Sequence, residues 1–132
     1  MTSDPQARMS TIAALLHHKM DYFFWTGFYM LKDGKLLVNN YQGPLACMEL
    51  EKDKGVCWAA INQNKAINVP DVNKFPDHIP CDPATKSEVV VPIKDADGNI
   101  VGVLDVDSKE LSSFDDIDIE ELDKIGQLIF SI

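Results

Sequence analysis

A cysteine set between prolines, with carboxylates close by on both sides, is dressed for thiol chemistry. It occurs in Phe75-Pro76-Asp77-His78-Ile79-Pro80-Cys81-Asp82, followed by Ser87-Glu88. The run from Pro70 to Lys86 holds four prolines and is too irregular for a long helix or strand. Loops of that length in compact domains are functional or disordered. Phe75, Ile79 and Cys81 would be wasted in a disordered linker, so the segment reads as an ordered loop presenting a thiol. Two further cysteines, Cys47 and Cys57, make three, which cannot all pair within one chain. In a reducing compartment a structural disulfide is rare, which leaves redox chemistry, metal binding or plain burial. His78 and Cys81 have ligand spacing, and Cys47 and Cys57 could complete a Cys3His zinc set. There is no Cys-x-x-Cys pair, and a chain of this length folds without a metal. No metal and no cofactor are expected.

Carboxylates are the second reactive set. Glu88 opens an apolar run, and Asp105-Val106-Asp107 closes the next one. In a strand, Asp105 and Asp107 point to the same face. They either end the strand in solvent or form an acid cluster at the mouth of a pocket beside the Cys81 loop. Clustered carboxylates raise one another's pKa, so one can hold a proton at neutral pH and donate it.

These groups need a scaffold. Ser3 or Asp4 and Pro5 open a helix with an apolar stripe of Ile12, Leu15, Leu16 and Met20. Residues 23–31 and 36–41 read as a hairpin across Lys32-Asp33-Gly34-Lys35, with a short strand expected around Cys47-Met48-Glu49. A helix over 55–64 and a brief strand over 66–69 lead into the long loop. Strands over 87–94 and 100–106 turn at Asp95-Ala96-Asp97-Gly98. Asp115 or Asp116 caps a last helix with Leu122, Ile125, Leu128 and Ile129 on its buried side. Hairpins dominate, so the class is α+β: a mainly antiparallel sheet flanked by N- and C-terminal helices. His17 and His18, on the first helix, read as surface residues.

With 132 residues, 45% of them hydrophobic, one domain spanning 1–132 has enough core to fold. No apolar run reaches the roughly 20 residues of a membrane span. The first residues lack a secretory signal's basic start and apolar core, so a cytoplasmic location is expected. A net charge of −9 with Arg8 the only arginine repels nucleic acid and anionic membrane, and disfavours phosphorylated ligands.

Several segments together resemble one family. They are Trp25-Thr26-Gly27-Phe28-Tyr29, Gln42-Gly43-Pro44-Leu45-Ala46-Cys47, Gly55-Val56-Cys57, Val69-Pro70-Asp71-Val72 and the Phe75–Asp82 run. Lys86-Ser87-Glu88-Val89-Val90-Val91-Pro92 and Gly102-Val103-Leu104-Asp105-Val106-Asp107-Ser108 continue the series. In this order they resemble the free methionine-(R)-sulfoxide reductases, stand-alone enzymes built on a GAF domain. The resemblance runs from about Leu15 to the last helix.

It implies a division of labour. Cys81 matches the catalytic cysteine, which attacks the sulfoxide sulfur and becomes a sulfenic acid. Cys47 matches the resolving cysteine, which forms a disulfide that thioredoxin reduces. Cys57 matches a third family cysteine, structural or a disulfide relay. Glu88, Asp105 and Asp107 match substrate-binding acids, and Trp25 and Tyr29 match aromatics around the methyl group on sulfur. The family also implies a homodimer. The chain departs from the family pattern at Trp58, Pro80 and Pro83, and Pro80 removes one N–H from the loop expected to bind the substrate carboxylate. The competing reading is a GAF domain that binds a small molecule as a sensor and performs no chemistry.

Overall fold

The strands come in hairpins, and hairpins fix the sheet. In the computed structural model, described over residues 2–131, six strands pair antiparallel in the order β3-β2-β1-β6-β5-β4. They are β1 (Trp25–Lys32), β2 (Lys35–Gln42), β3 (Glu49–Leu50), β4 (Ile67–Val69), β5 (Ser87–Lys94) and β6 (Ile100–Ser108). The helices are α1 (Pro5–Lys19), α2 (Gly55–Gln63) and α3 (Asp116–Gly126), with a 3-10 turn at Val72–Lys74 inside the long loop.

Alternation along the central strands splits the core in two. Phe28, Val89, Val91, Ile93, Leu104 and Val106 face α1 and α3, meeting Met9, Ile12, Ala13, Leu122 and Ile129. Trp25, Tyr29, Val90 and Val103 face the other way, toward Val56, Cys57 and Ala60 of α2. The sheet therefore lies between two helical layers, and α2 with the long loop covers the face that carries the acids. Asp4 caps α1, and Asp115 with Asp118 forms a capping box on α3. Arg8 is buried and donates to the carbonyls of Leu128 (2.8 Å) and Ser131 (2.6 Å), tying α1 to the chain's end.

Several boundaries differ from expectation. Strand β1 starts at Trp25 because the Phe23 amide closes the end of α1 on Met20 O, 3.0 Å away. Strand β3 lies at Glu49–Leu50, paired with Leu37 and Leu36, so Cys47 is in coil. Strand β6 extends through Asp107 and Ser108, which pair with Glu88 and Ser87. Leu15 lies 55% exposed, outside the α1 stripe; Leu128 lies past the end of α3 and is 43% exposed, so the buried contact passes to Ile129. His17 is half-buried rather than a surface residue, its Nδ1 3.4 Å from Thr26 Oγ1. Trp58 is buried and donates its indole N–H to Leu50 O at 3.2 Å, which pins the short β3 to α2.

Candidate active site

The extension of β6 decides the fate of the acids. Glu88 on β5, Asp107 on β6 and Trp25 on β1 share one cross-strand row, with Asp105 one row further along beside Gly27 and Val90. These residues stand mid-sheet, under α2 and the Cys81 loop. Glu88 is 7% exposed and Asp105 5%, so the reading of a strand ending in solvent is wrong. The two aspartates, Asp105 buried and Asp107 half-buried, supply two members of a triad whose third, Glu88, comes from the neighbouring strand. The three carboxyls lie close enough to hydrogen-bond one another whenever one of them holds a proton.

Burial, followed by mutual repulsion, holds Glu88 and Asp107 well above the ordinary carboxylate range. Burial raises Asp105 too, opposed by hydrogen bonds from Glu88, Asp107 and Cys57. The cluster thus holds protons more tightly than free carboxylates do. His78 reaches over it from the loop, Nε2 3.9 Å from Glu88 Oε1, and burial lowers its pKa.

This arrangement has a cost in stability. The acids bind protons more tightly folded than unfolded, so stability falls as pH rises from about 4 through their folded values. His17 and His78, both lowered, act oppositely, losing stability as pH falls through about 6.5. Above that point only the acids' slope remains. Glu88→Gln should flatten the decline of Tm between pH 6.5 and 8 and raise Tm by a few °C at pH 8, roughly 1 kcal/mol. Thermal melts of the disulfide form would show this, and a steeper decline in the variant would contradict it.

The aromatic wall is built from β1 and β2. Trp25 stacks on Tyr29 (centroids 5.7 Å, planes 27° apart) and on Tyr41 (5.2 Å, 22°). Gly27 permits this stack, since a Cβ there would sit 2.3 Å from Tyr41 Cβ and 2.7 Å from Trp25 Cη2. Tyr29 donates its hydroxyl hydrogen to the Cys47 carbonyl at 3.0 Å, so it also fixes a cysteine segment. Trp25 Nε1, Asp105 Oδ1 and Asp107 Oδ1 are buried with no hydrogen-bond partner. Orphaned donors and acceptors facing one space are a site prepared for a polar ligand.

Cys47 and Cys81 are joined as a disulfide, Cα to Cα 5.4 Å. Cys57 is free and buried at the start of α2. The pocket between these parts is lined by Trp25, Tyr29, Cys57, Cys81, Glu88, Asp105 and Asp107, all singled out in the sequence. Cys47 lies at its edge, reaching it through the bond to Cys81.

Sequence reasoning missed Lys54, Gly55, Val56, His78, Ile79 and Thr85 as lining residues. The signal was there at the start of α2: Lys54 occupies the N-cap with no capping side chain, leaving the first helix N–H groups open. The Cys81 loop offers fewer amides than expected. Pro80 centres a tight turn in which Cys81 N–H donates to Ile79 O at 3.0 Å, and Ala84 and Thr85 amides bond back to Asp82.

The sequence matches the GAF domain family over residues 2–131. "GAF domain-containing protein A" of Dictyostelium discoideum is 45% identical over 93% of this chain and 77% of its own length. The free methionine-R-sulfoxide reductase of Escherichia coli is 37% identical, covering 88% of this chain and 70% of that one. The chain belongs to the free methionine-R-sulfoxide reductase family. The X-ray structure of the Neisseria meningitidis family member in complex with its substrate superposes with a TM-score of 0.91 at 36% identity, over 97% of this chain and 77% of that one. The α+β GAF expectation is thereby met, and the six-stranded antiparallel sheet agrees with it.

Proposed function

We propose that this chain reduces free L-methionine-(R)-S-oxide to methionine, with Cys81 as nucleophile and Cys47 as resolving cysteine. The observation that carries the reading is the Cys47–Cys81 disulfide beside a buried acid triad, in one pocket. The Cys81 thiolate attacks the sulfoxide sulfur while a protonated acid of the triad hydrogen-bonds and protonates the sulfoxide oxygen. The oxygen passes to Cys81 as sulfenic acid and methionine leaves. The Cys47 thiolate then attacks the Cys81 sulfur, the oxygen departs as water, and the disulfide remains. A dithiol reductant, thioredoxin, restores both thiols by exchange.

Recognition follows from the same lining. The triad's remaining charge takes the substrate ammonium; the open start of α2 with Lys54 takes its carboxylate. Trp25 and Tyr29 enclose the methyl group on sulfur. A non-catalytic sensor has no use for a redox pair across its ligand pocket. We read residues 1–132 as one domain holding all these groups and acting in the cytoplasm, where thioredoxin keeps thiols reduced. No helix among the described residues is long and apolar enough to cross a membrane. A homodimer belongs to the same reading; Leu15 and Ile117, 55% and 67% exposed, supply apolar surface for the contact.

The test is thioredoxin-coupled NADPH consumption with the separated R and S sulfoxides of free methionine. Turnover of the R form alone is expected. Turnover of neither, or of both equally, would defeat the reading.

A further inference from the structure

Cys57 stands outside the disulfide, yet it is part of the acid cluster. Its Sγ, a Glu88 carboxylate oxygen and an Asp105 carboxylate oxygen all lie within 4.8 Å of one another. Asp105 Oδ1 beside it has no hydrogen-bond partner in the protein, and the nearby thiol favours the charged form of Asp105. Cys57 itself is 4% exposed, packed among Val56, Trp58 and the sheet.

We propose that Cys57 is a positioning residue: its S–H donates to the Asp105 carboxylate, keeps Asp105 the ionised member of the triad, and leaves the acidic proton on Glu88 and Asp107. This rests on the reductase reading above and assigns the third cysteine a part without electron transfer.

Three observations carry it. First, geometry puts the sulfur within 4.8 Å of carboxylate oxygens from two strands, beside an Asp105 oxygen left without a partner that an S–H can donate to. Second, burial and the surrounding acids push the thiol well up, so it stays protonated and is a poor nucleophile. Third, Asp105 is raised less than Glu88 and Asp107, because it alone accepts from both acids and from the thiol. A triad with three equal members would share its proton at random. A donor fixed on one member sorts the roles: charge on Asp105 for the ammonium, acidity on the other two for the sulfoxide oxygen.

The groups facing Asp105 come from several elements: Glu88 from β5, Asp107 from β6, Tyr29 from β1 and Cys57 from α2. His78 acts on Glu88, and Asp82 on Asp107, from the loop. Any pH profile reports the whole set, so the informative comparison is between two replacements at position 57.

Cys57→Ser keeps a donor and removes the sulfur; Cys57→Ala removes both. Methionine release by the full chain, reduced with dithiothreitol, would be followed against pH for each. Cys57→Ser should keep kcat within about threefold, with the acid limb of the kcat/KM profile where wild type has it. Cys57→Ala should lose about tenfold in kcat/KM, its acid limb moved to higher pH by about half a unit or more, because Asp105 loses the donor favouring its charge. Equal loss in both variants would show that the sulfur itself is needed and overturn the proposal. So would wild-type behaviour in both, or an Ala variant with a lowered Tm and an unmoved acid limb. In each case wild-type enzyme still forms methionine; failure of the reductase reading is distinguishable, since wild type would then form none.

Discussion

Cys81→Ser should release no methionine from methionine-(R)-sulfoxide, while Cys47→Ser should release about one per chain and then stop with thioredoxin as reductant. These outcomes follow from sulfur chemistry. A serine hydroxyl at neutral pH is neither ionised nor polarizable, so it does not attack a sulfoxide sulfur, and loss of the nucleophile should cost at least about a thousandfold. Removing Cys47 leaves that first step intact. Cys81 then rests as sulfenic acid with no resolving thiol beside it, since buried Cys57 holds its proton. A single-turnover burst measured by amino-acid analysis, with dimedone labelling of Cys81, would confirm the stalled state. Activity retained in Cys81→Ser would move attack to Cys47 or Cys57. Steady thioredoxin-coupled turnover in Cys47→Ser at the wild-type rate would remove Cys47 from the sequence of steps.

Much of this site was legible in the sequence, and what was not has physical reasons. Hairpin turns at Asp33-Gly34 and Asp97-Gly98 announce themselves locally, so the strands around them were readable. Asp105 and Asp107 were placed on one face by the two-residue period alone. Their burial was not readable, because it depends on the Glu88–Asp107 register and on α2 lying above them. The Cys47–Cys81 pairing spans 34 residues and joins two coil segments with no local signal, so only the family resemblance carried it. Leu128 failed for a simpler reason: α3 ends at Gly126, and past that point helical spacing no longer says which side is buried. The open start of α2 was readable as a helix beginning Lys54-Gly55 without a capping side chain, and that signal points to a site only once the pocket in front of it is known.

Blocking the substrate's two charged ends should matter nearly as much as removing a cysteine. The pocket offers carboxyls to an ammonium, and open helix N–H groups with Lys54 to a carboxylate. In a peptide, neutral amides replace both charges. The ionised member of a buried triad would then face a group that cannot compensate it, and an unpaired buried charge is costly. Loss of charge-assisted hydrogen bonds at the two ends should cost on the order of 3 kcal/mol, about a hundredfold or more in kcat/KM. Asp105→Asn, Glu88→Gln and Asp107→Asn should each weaken use of the free substrate. The losses should divide: Asp105→Asn chiefly in KM, where the ammonium is held, and Glu88→Gln or Asp107→Asn chiefly in kcat, where the sulfoxide oxygen receives its proton. Kinetics with free methionine-(R)-sulfoxide and its N-acetyl, C-amide derivative would measure the first effect. Comparable kcat/KM for the two would mean that neither end is read, and the acids would then need another reason to be buried together.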